Sequence, residues 1–334
     1  MNKSASETKH SNRVRPFPGG EVRRHEVRIG PEQAGWRLDR ALAAALPEYS
    51  RTRIRGWIDA GRVTADGRGR RASERVREGE VMVLSALLEP VIEDAPEPIA
   101  LDIAYEDDAL LVVAKPPGLV VHPGAGNHTG TLVNALLHHD PRLERLPRAG
   151  LVHRLDKDTS GLLVVARTPG AHAALVKALA AREIHREYLA LVRGEVVAGE
   201  RIEAPIGRHP QARTKMAVVE RGRPAVTHTR VAERFRGFTL LSVRLESGRT
   251  HQIRVHLAHL GTPVAGDPVY GGRRTLPAGL GPRAAEAVRA FRRQALHARR
   301  LAFAHPDTGR ELDLSAAAPA DLAALLDALR ADGE

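Results

Sequence analysis

Leu38, Leu42 and Leu46 recur every four residues in "GWRLDRALAAALPEYS", one apolar stripe of a helix that Pro47 helps to end. Ile54, Trp57 and Ile58 form a second stripe in "RTRIRGWIDAG", with Ser50 as N-cap and Gly61 just past the end. Arg51 and Arg55 stand one turn apart on its outer side. "EVRRHEVRIG" reads as a strand before these helices. "RVTADGRGRR" and "RVREGEVMVL" read as two short strands after them, with turns at Asp66-Gly67 and Glu78-Gly79. Farther on, the pattern changes to short β-branched runs: "ALLVVAK", "GLLVVAR", "REYLALV", "AVTHTRVAERF", "FTLLSVRLESG" and "ALHARRLAFAHP". Helical periodicity punctuates them at about 129–138, 169–182, 250–260, 283–293 and 319–330. Strands outnumber helices and do not alternate with them regularly. That predicts an α+β domain on a large mixed or antiparallel sheet, without internal repeats.

Charge divides the chain. Residues 50–71 hold seven arginines against Asp59 and Asp66, a one-sided accumulation that reads as a phosphate-binding surface. Arg51, Arg55 and Arg62 are its candidate phosphate contacts. From Glu89 to Asp108 there are eight acidic residues, no basic ones, and prolines at 90, 96 and 98, which reads as a linker. The predicted organisation is a disordered polar arm over 1–20, a small basic domain over 21–88, a linker over 89–100 and a large domain over 101–334.

At 334 residues the chain buries a full core, and 43% hydrophobic with 27% charged residues is ordinary for a globular protein. A net charge of +11 is not, and it favours a polyanionic partner such as nucleic acid. The absence of cysteine excludes thiolate nucleophiles, disulfides and thiolate zinc sites. No apolar run reaches the ~20 residues of a membrane span, and the start lacks the apolar stretch of a signal peptide, so a cytoplasmic protein with no membrane partner is expected.

Two tempting motifs fail on spacing. The glycines of "VVHPGAGNHTG" at 124, 126 and 130 miss the G-x-G-x-x-G pattern, and a P-loop lysine is absent, so no nucleotide cofactor is expected. His138, His139 and Asp140, or His251, His256 and His259, suggest a metal. Adjacent histidines diverge on a helix and no H-E-x-x-H occurs, so structural histidines are the better reading.

"HRLDKDTSG" sets Arg154, Asp156, Lys157 and Asp158 between two apolar runs. It reads either as a charged turn tied down by Asp158 and Thr159, or as a site in which Asp156 is base or nucleophile. "ESGRTHQIRVHLAHLG" tips the balance. An arginine near a helix start opposes the helix dipole, so Arg249 needs a carboxylate partner, and Asp156 supplies one.

Residues 36–86 resemble an S4 RNA-binding domain, on the element order and on "RLDRAL" and "SRTRIRGWIDAGRV". The aspartate and arginine stretches, with "KPPGLVVHPGAGNHTGTLVNALL", "HREYLALVRG" and "VAGDPVYGG" in order, resemble the RluA-type pseudouridine synthases over residues 36–330. The S4 portion, "GDPVYGGRR" and "FRRQALHARRLAFAHPDTG" narrow the likeness to the branch that modifies large-subunit ribosomal RNA. The resemblance implies isomerisation of uridine to pseudouridine without metal, redox or nucleotide cofactor, by a chain expected to be monomeric. By likeness Asp156 is the catalytic carboxylate, Arg249 its partner, Tyr188 the residue under the base, and Arg154 the one that fills the space of the flipped uridine. Lys157 and Asp158 depart from commoner residues and inherit no role. A transfer RNA substrate, a catalytically silent RNA-binding protein and a hydrolase are the rivals. Aromatic content of 3% denies the chain a stacking sheet, so recognition leans on RNA shape and phosphate.

Overall fold

The computed structural model describes residues 21–46, 49, 51–65, 67–88, 95–124, 127, 129–212, 214–272 and 276–333. The predicted arm, Pro47, Ser50, Asp66, the linker residues 89–94 and Gly126 lie outside them. The chain divides into two compact units, residues 1–93 and 94–334.

The first unit runs β1 (Glu21–Arg28), α1 (Leu38–Ala45), α2 (Arg51–Asp59), β2 (Val63–Ala65), β3 (Arg68–Gly69) and β4 (Val81–Leu88). Its antiparallel sheet has the order β1-β4-β2-β3. "RVTADGRGRR" is therefore not one strand but a hairpin, with Thr64 opposite Gly69 and Ala65 opposite Arg68. Leu38, Leu42, Ile54, Trp57 and Ile58 bury the two predicted stripes against Val63, Met82 and Leu84. Burial of each such side chain contributes about 1.5–3 kcal/mol. Asp39, only 2% exposed, links the helices by accepting from Arg37 at 3.1 Å and Arg51 at 3.0 Å. Burial opposes its ionisation, and the two arginines outweigh that and hold the carboxyl below its usual range.

The second unit runs β5 (Ile103–Glu106), β6 (Leu110–Lys115), α3 (Leu132–His139), β7 (Ser160–Ala166), α4 (Pro169–Ala180), β8 (His185–Arg193), β9 (Arg201–Glu203), β10 (Ile206–Arg208) and β11 (Met216–Val218). It continues through β12 (Val226–Phe235), β13 (Phe238–Leu245), α5 (Gln252–His259), α6 (Pro282–Ala290), β14 (Leu296–Ala304), β15 (Glu311–Ser315) and α7 (Ala320–Arg330). Among the described residues nine of these strands build one sheet, β5-β6-β7-β14-β8-β13-β12-β9 with β15 also on β14, while β10 and β11 pair with each other. Only the short β7–β14 pairing is parallel, so the sheet is mixed and the fold is α+β. The runs "ALLVVAK" and "GLLVVAR" are continuous because both faces of β6 and β7 are covered. Leu111, Val113, Leu163 and Val165 enter the core beneath α3 and α7, while Leu110, Val112, Leu162 and Val164 enter the core beneath α4.

Residues 95–97, assigned to the linker from composition, are tied to α3. Asn134 donates to the Ala95 carbonyl at 2.9 Å and accepts the Glu97 amide at 3.0 Å. Composition could not show this, because the partner lies 39 residues away.

A carboxylate knot closes the β5–β6 turn. Asp107 accepts from Tyr105, from the Ala109 and Leu110 amides and from His305, while Arg167 joins the Asp107 carbonyl to Asp140. Burial raises the Asp107 pKa, but these hydrogen bonds prevail and hold it at about 2. A depressed carboxylate contributes stability that is fully present above the unfolded value near 3.9 and is lost as pH falls toward the folded one. Urea midpoints should therefore drop between about pH 4 and pH 2. Asp107→Asn should lower stability at neutral pH and flatten that drop. An equally steep drop in the variant would remove Asp107 as its source.

Candidate active site

Leu151 bridges to Val165, and the chain then loops through residues 152–159 before entering β7. The Thr159 amide donates to the Asp156 carbonyl at 3.1 Å, so the acid opens a tight turn. The turn is fastened from outside. Lys115, 2% exposed at the end of β6, donates to the carbonyls of Pro116, Leu119 and Lys157 at 2.8, 2.9 and 2.8 Å. Burial pushes its pKa down to about 7 against the pull of Asp158 and Asp156, and three carbonyl acceptors suit the three protons of an ammonium. Arg293 reaches the Asp158 carbonyl and Gln294 the Thr159 hydroxyl. Gly161 lets β7 press against β14: at φ +111° a Cβ there would stand 2.1 Å from the Ala298 carbonyl oxygen.

Asp156 points into a concavity of about 1020 Å³. Its Oδ2 accepts from Arg254 Nη1 at 2.8 Å, and its Oδ1 lies 3.9 Å from His251 Nε2. Arg254 is the buried partner. Its other edge grips Asp267 through two bonds of 2.7 and 2.9 Å, and Asp267 is oriented in turn by the amides of Val269 and Tyr270. Burial works against the guanidinium charge, and the two carboxylates overcome it and raise its pKa further.

The expected Arg249–Asp156 pair is thus corrected. Arg249 precedes α5, where its amide donates to Gln252 and its Nε to the Pro224 carbonyl at 3.1 Å. His251 takes a left-handed conformation (φ 57°) held by Tyr270 at 2.7 Å, and the helix begins only at Gln252. Arg254, in the first turn and facing inward, is the arginine that opposes the dipole and needs the carboxylates.

Tyr188, on β8 and 5% exposed, forms part of the wall, and burial pushes its phenol up. His153 accepts the Val164 amide at Nε2, and burial drives its pKa down to about 3, so the ring is neutral with its proton on Nδ1. Arg154 is exposed on the same wall, and Arg249 lines it half-buried.

In the first unit Arg51 is committed to Asp39, Arg55 lies 3.8 Å from Asp59, and Arg62 is half-buried beyond α2. Of the histidines weighed as ligands, His139 meets Glu106, His251 meets Tyr270, and His256 sits between Thr227 and the Ala204 carbonyl. Lys115, Arg254 and Asp267 went unassigned in the sequence. A basic residue inside "QIRVHL", flanked by apolar positions, was the available signal for Arg254.

Residues 109–259 match the family described as RNA pseudouridylate synthase, and residues 36–82 match the S4 domain. The chain is 54% identical over 299 residues, 90% of each chain, to "Ribosomal large subunit pseudouridine synthase D" of Xanthomonas campestris pv. campestris. It is 51% identical over 303 residues, 91% of this chain and 95% of the relative, to the protein of that name from Pseudomonas aeruginosa. Among solved structures, "Human RNA Pseudouridylate Synthase Domain Containing 4" superposes with a TM-score of 0.53 at 26% identity, over 69% of this chain and 93% of that one. An Asp156–Arg254 pair at one wall of the concavity, inside the matched region, and identity above half along nine-tenths of the chain lead to one conclusion: this chain belongs to the RNA pseudouridylate synthase family.

Proposed function

We propose that the chain converts uridines of large-subunit ribosomal RNA to pseudouridine, with Asp156 as the reacting carboxylate. The observation that carries this is the asymmetry of Asp156: Arg254 holds one oxygen from behind while the other faces the concavity. In the reaction the C1′–N1 bond breaks, the uracil turns, C1′ bonds to C5, and the C5 proton leaves as N1 regains one. Mass is unchanged, and the chemistry requires no metal or nucleotide cofactor. Asp156 supplies an ionised oxygen at the glycosidic carbon. Tyr188 lies under the base. Arg154, planar and exposed, takes the space the uridine leaves when it flips from its stack.

The relatives named for the large ribosomal subunit align with both units of this chain, which supports the substrate assignment. Action on ribosomal RNA suits a cytoplasmic protein, and the chain is proposed to work there as a monomer. No helix among the described residues is long and apolar enough to cross a membrane.

Asp156→Asn should abolish turnover with little change in RNA affinity. The assay is release of tritium from C5-labelled RNA, which forming the new carbon–carbon bond must expel. Ribosomal RNA from cells lacking the enzyme should release it and transfer RNA should not; the reverse pattern would overturn the substrate assignment.

Arg254→Lys keeps a charge but cannot span both carboxylates, and a displacement of about 1 Å at the reacting group costs on the order of 100-fold in rate. Arg254→Met leaves Asp267 buried and unpaired, at about 3–5 kcal/mol of stability. Single-turnover rates and urea midpoints read the two effects. A harsh Arg249→Ala beside a mild Arg254→Lys would restore the pairing role to Arg249.

Arg55→Glu with Arg62→Glu should weaken RNA binding and reduce the log–log salt slope by about 0.7–0.9 per lost phosphate contact. Arg51→Ala should chiefly destabilise the first unit, because Asp39 loses a partner. An unchanged slope in the double variant would exclude both arginines from the interface.

A further inference from the structure

Arg186 is the buried cation that the chemistry above does not use. It lies on β8 two residues before Tyr188, so strand alternation puts both side chains on the same face of the sheet, and both line the concavity with Asp156. Arg186 is only 7% exposed, and its Nε is buried without a hydrogen-bond partner. Among the described residues no carboxylate lies within ion-pairing distance of it. The nearest acid in sequence, Glu187, projects to the opposite face, where Arg299 holds it at 2.6 Å and Ser242 at 2.9 Å.

A buried guanidinium without a counter-ion is costly to the fold. The other buried cations of this unit are compensated: Arg254 by two carboxylates and Lys115 by three carbonyls. A second feature accommodates Arg186. Gly248, in the stretch just before Arg249, has no left-handed backbone that would demand glycine, yet a Cβ there would stand 3.0 Å from Arg186 Nη1. The missing side chain leaves the guanidinium its room. The terminal nitrogens thus sit between β8 and the loop leading to α5, within the cavity that receives the nucleotide.

We infer that Arg186 binds a phosphate flanking the target uridine, so that the RNA itself supplies the missing counter-ion and the nucleotide is positioned over Asp156 and Tyr188. This rests on the RNA-isomerase reading. A uracil carbonyl would need only a neutral donor, whereas a fixed full charge with planar, forked donors matches an anionic oxygen pair.

The test is a chemical double-mutant cycle on a stem-loop fragment of large-subunit ribosomal RNA that the wild type converts. Neutral methylphosphonate replaces the linkage 5′ or 3′ of the target uridine, and dissociation constants and single-turnover rates are measured for wild type and Arg186→Met. A charge-assisted hydrogen bond is expected to make the variant about 10- to 100-fold poorer on the natural linkage. One methylphosphonate should cost the wild type a similar factor and cost the variant less than about twofold. Losses that simply multiply at both linkages would overturn the inference. A second readout has a definite sign: Arg186→Met should hold or raise the thermal midpoint of the free enzyme, because an uncompensated charge is replaced by an apolar chain of similar length. A lowered midpoint with multiplied losses would make Arg186 a structural residue. Conversion of the unmodified stem-loop by the wild type comes first and tests the parent reading: its failure overturns that reading, whereas multiplied losses on a converted stem-loop overturn the Arg186 assignment alone.

Discussion

The ladder from Asp156 through Arg254 to Asp267 is the interaction on which the catalytic unit turns. It joins a loop entering β7, a helix that starts almost a hundred residues later, and the segment just beyond that helix. Arg254 can remain charged in a dry position only because both carboxylates are present, and Asp267 can remain buried only because Arg254 grips it twice. Asp156, the more exposed of the two acids, keeps one oxygen toward the cavity. The arrangement orients the acid from behind while leaving its front to the substrate. His251 and Tyr270 lock the approach to α5, with the strain of a left-handed histidine absorbed by a 2.7 Å hydrogen bond.

Among the described residues three buried lysine or arginine cations, Arg254 within the ladder and Lys115 and Arg186 outside it, are stabilised in three ways. Arg254 has carboxylates. Lys115 has carbonyls, which fasten the end of β6 to the Asp156 turn without placing another negative charge beside the acid. Arg186 has no carboxylate partner among the described residues, and its compensation is assigned to the RNA. Charge left unneutralised inside a protein is an energetic deficit, and a deficit facing a cavity is an argument about the ligand.

The first unit divides its arginines on the same principle. Arg51 serves Asp39, buried between α1 and α2, whereas Arg55 meets Asp59 only at 3.8 Å on an exposed surface. An exposed pair of that kind contributes little to stability and readily exchanges its partner for a phosphate. A cluster of basic residues thus contains both fold and interface, and only the depth of the partner acid separates them.

The sequence by itself determined the α+β class, the apolar stripes of the helices and the strands that became β6, β7, β8, β12, β13 and β14. Those rest on periodicity, which depends on near neighbours along the chain and survives without knowledge of the fold. It also singled out the Asp156 turn, because so many charges between two buried strands are costly unless the site uses them. Tertiary structure alone decided which arginine meets Asp156. Arg249 and Arg254 are both basic, five positions apart and equally at odds with the helix dipole. The choice hung on where α5 begins, which the left-handed turn at His251 sets, and on Asp267, whose approach no spacing rule foretells. The unpaired state of Arg186 was equally invisible, since strand alternation separates it from Glu187 and only the folded sheet shows that no other acid among the described residues comes to it.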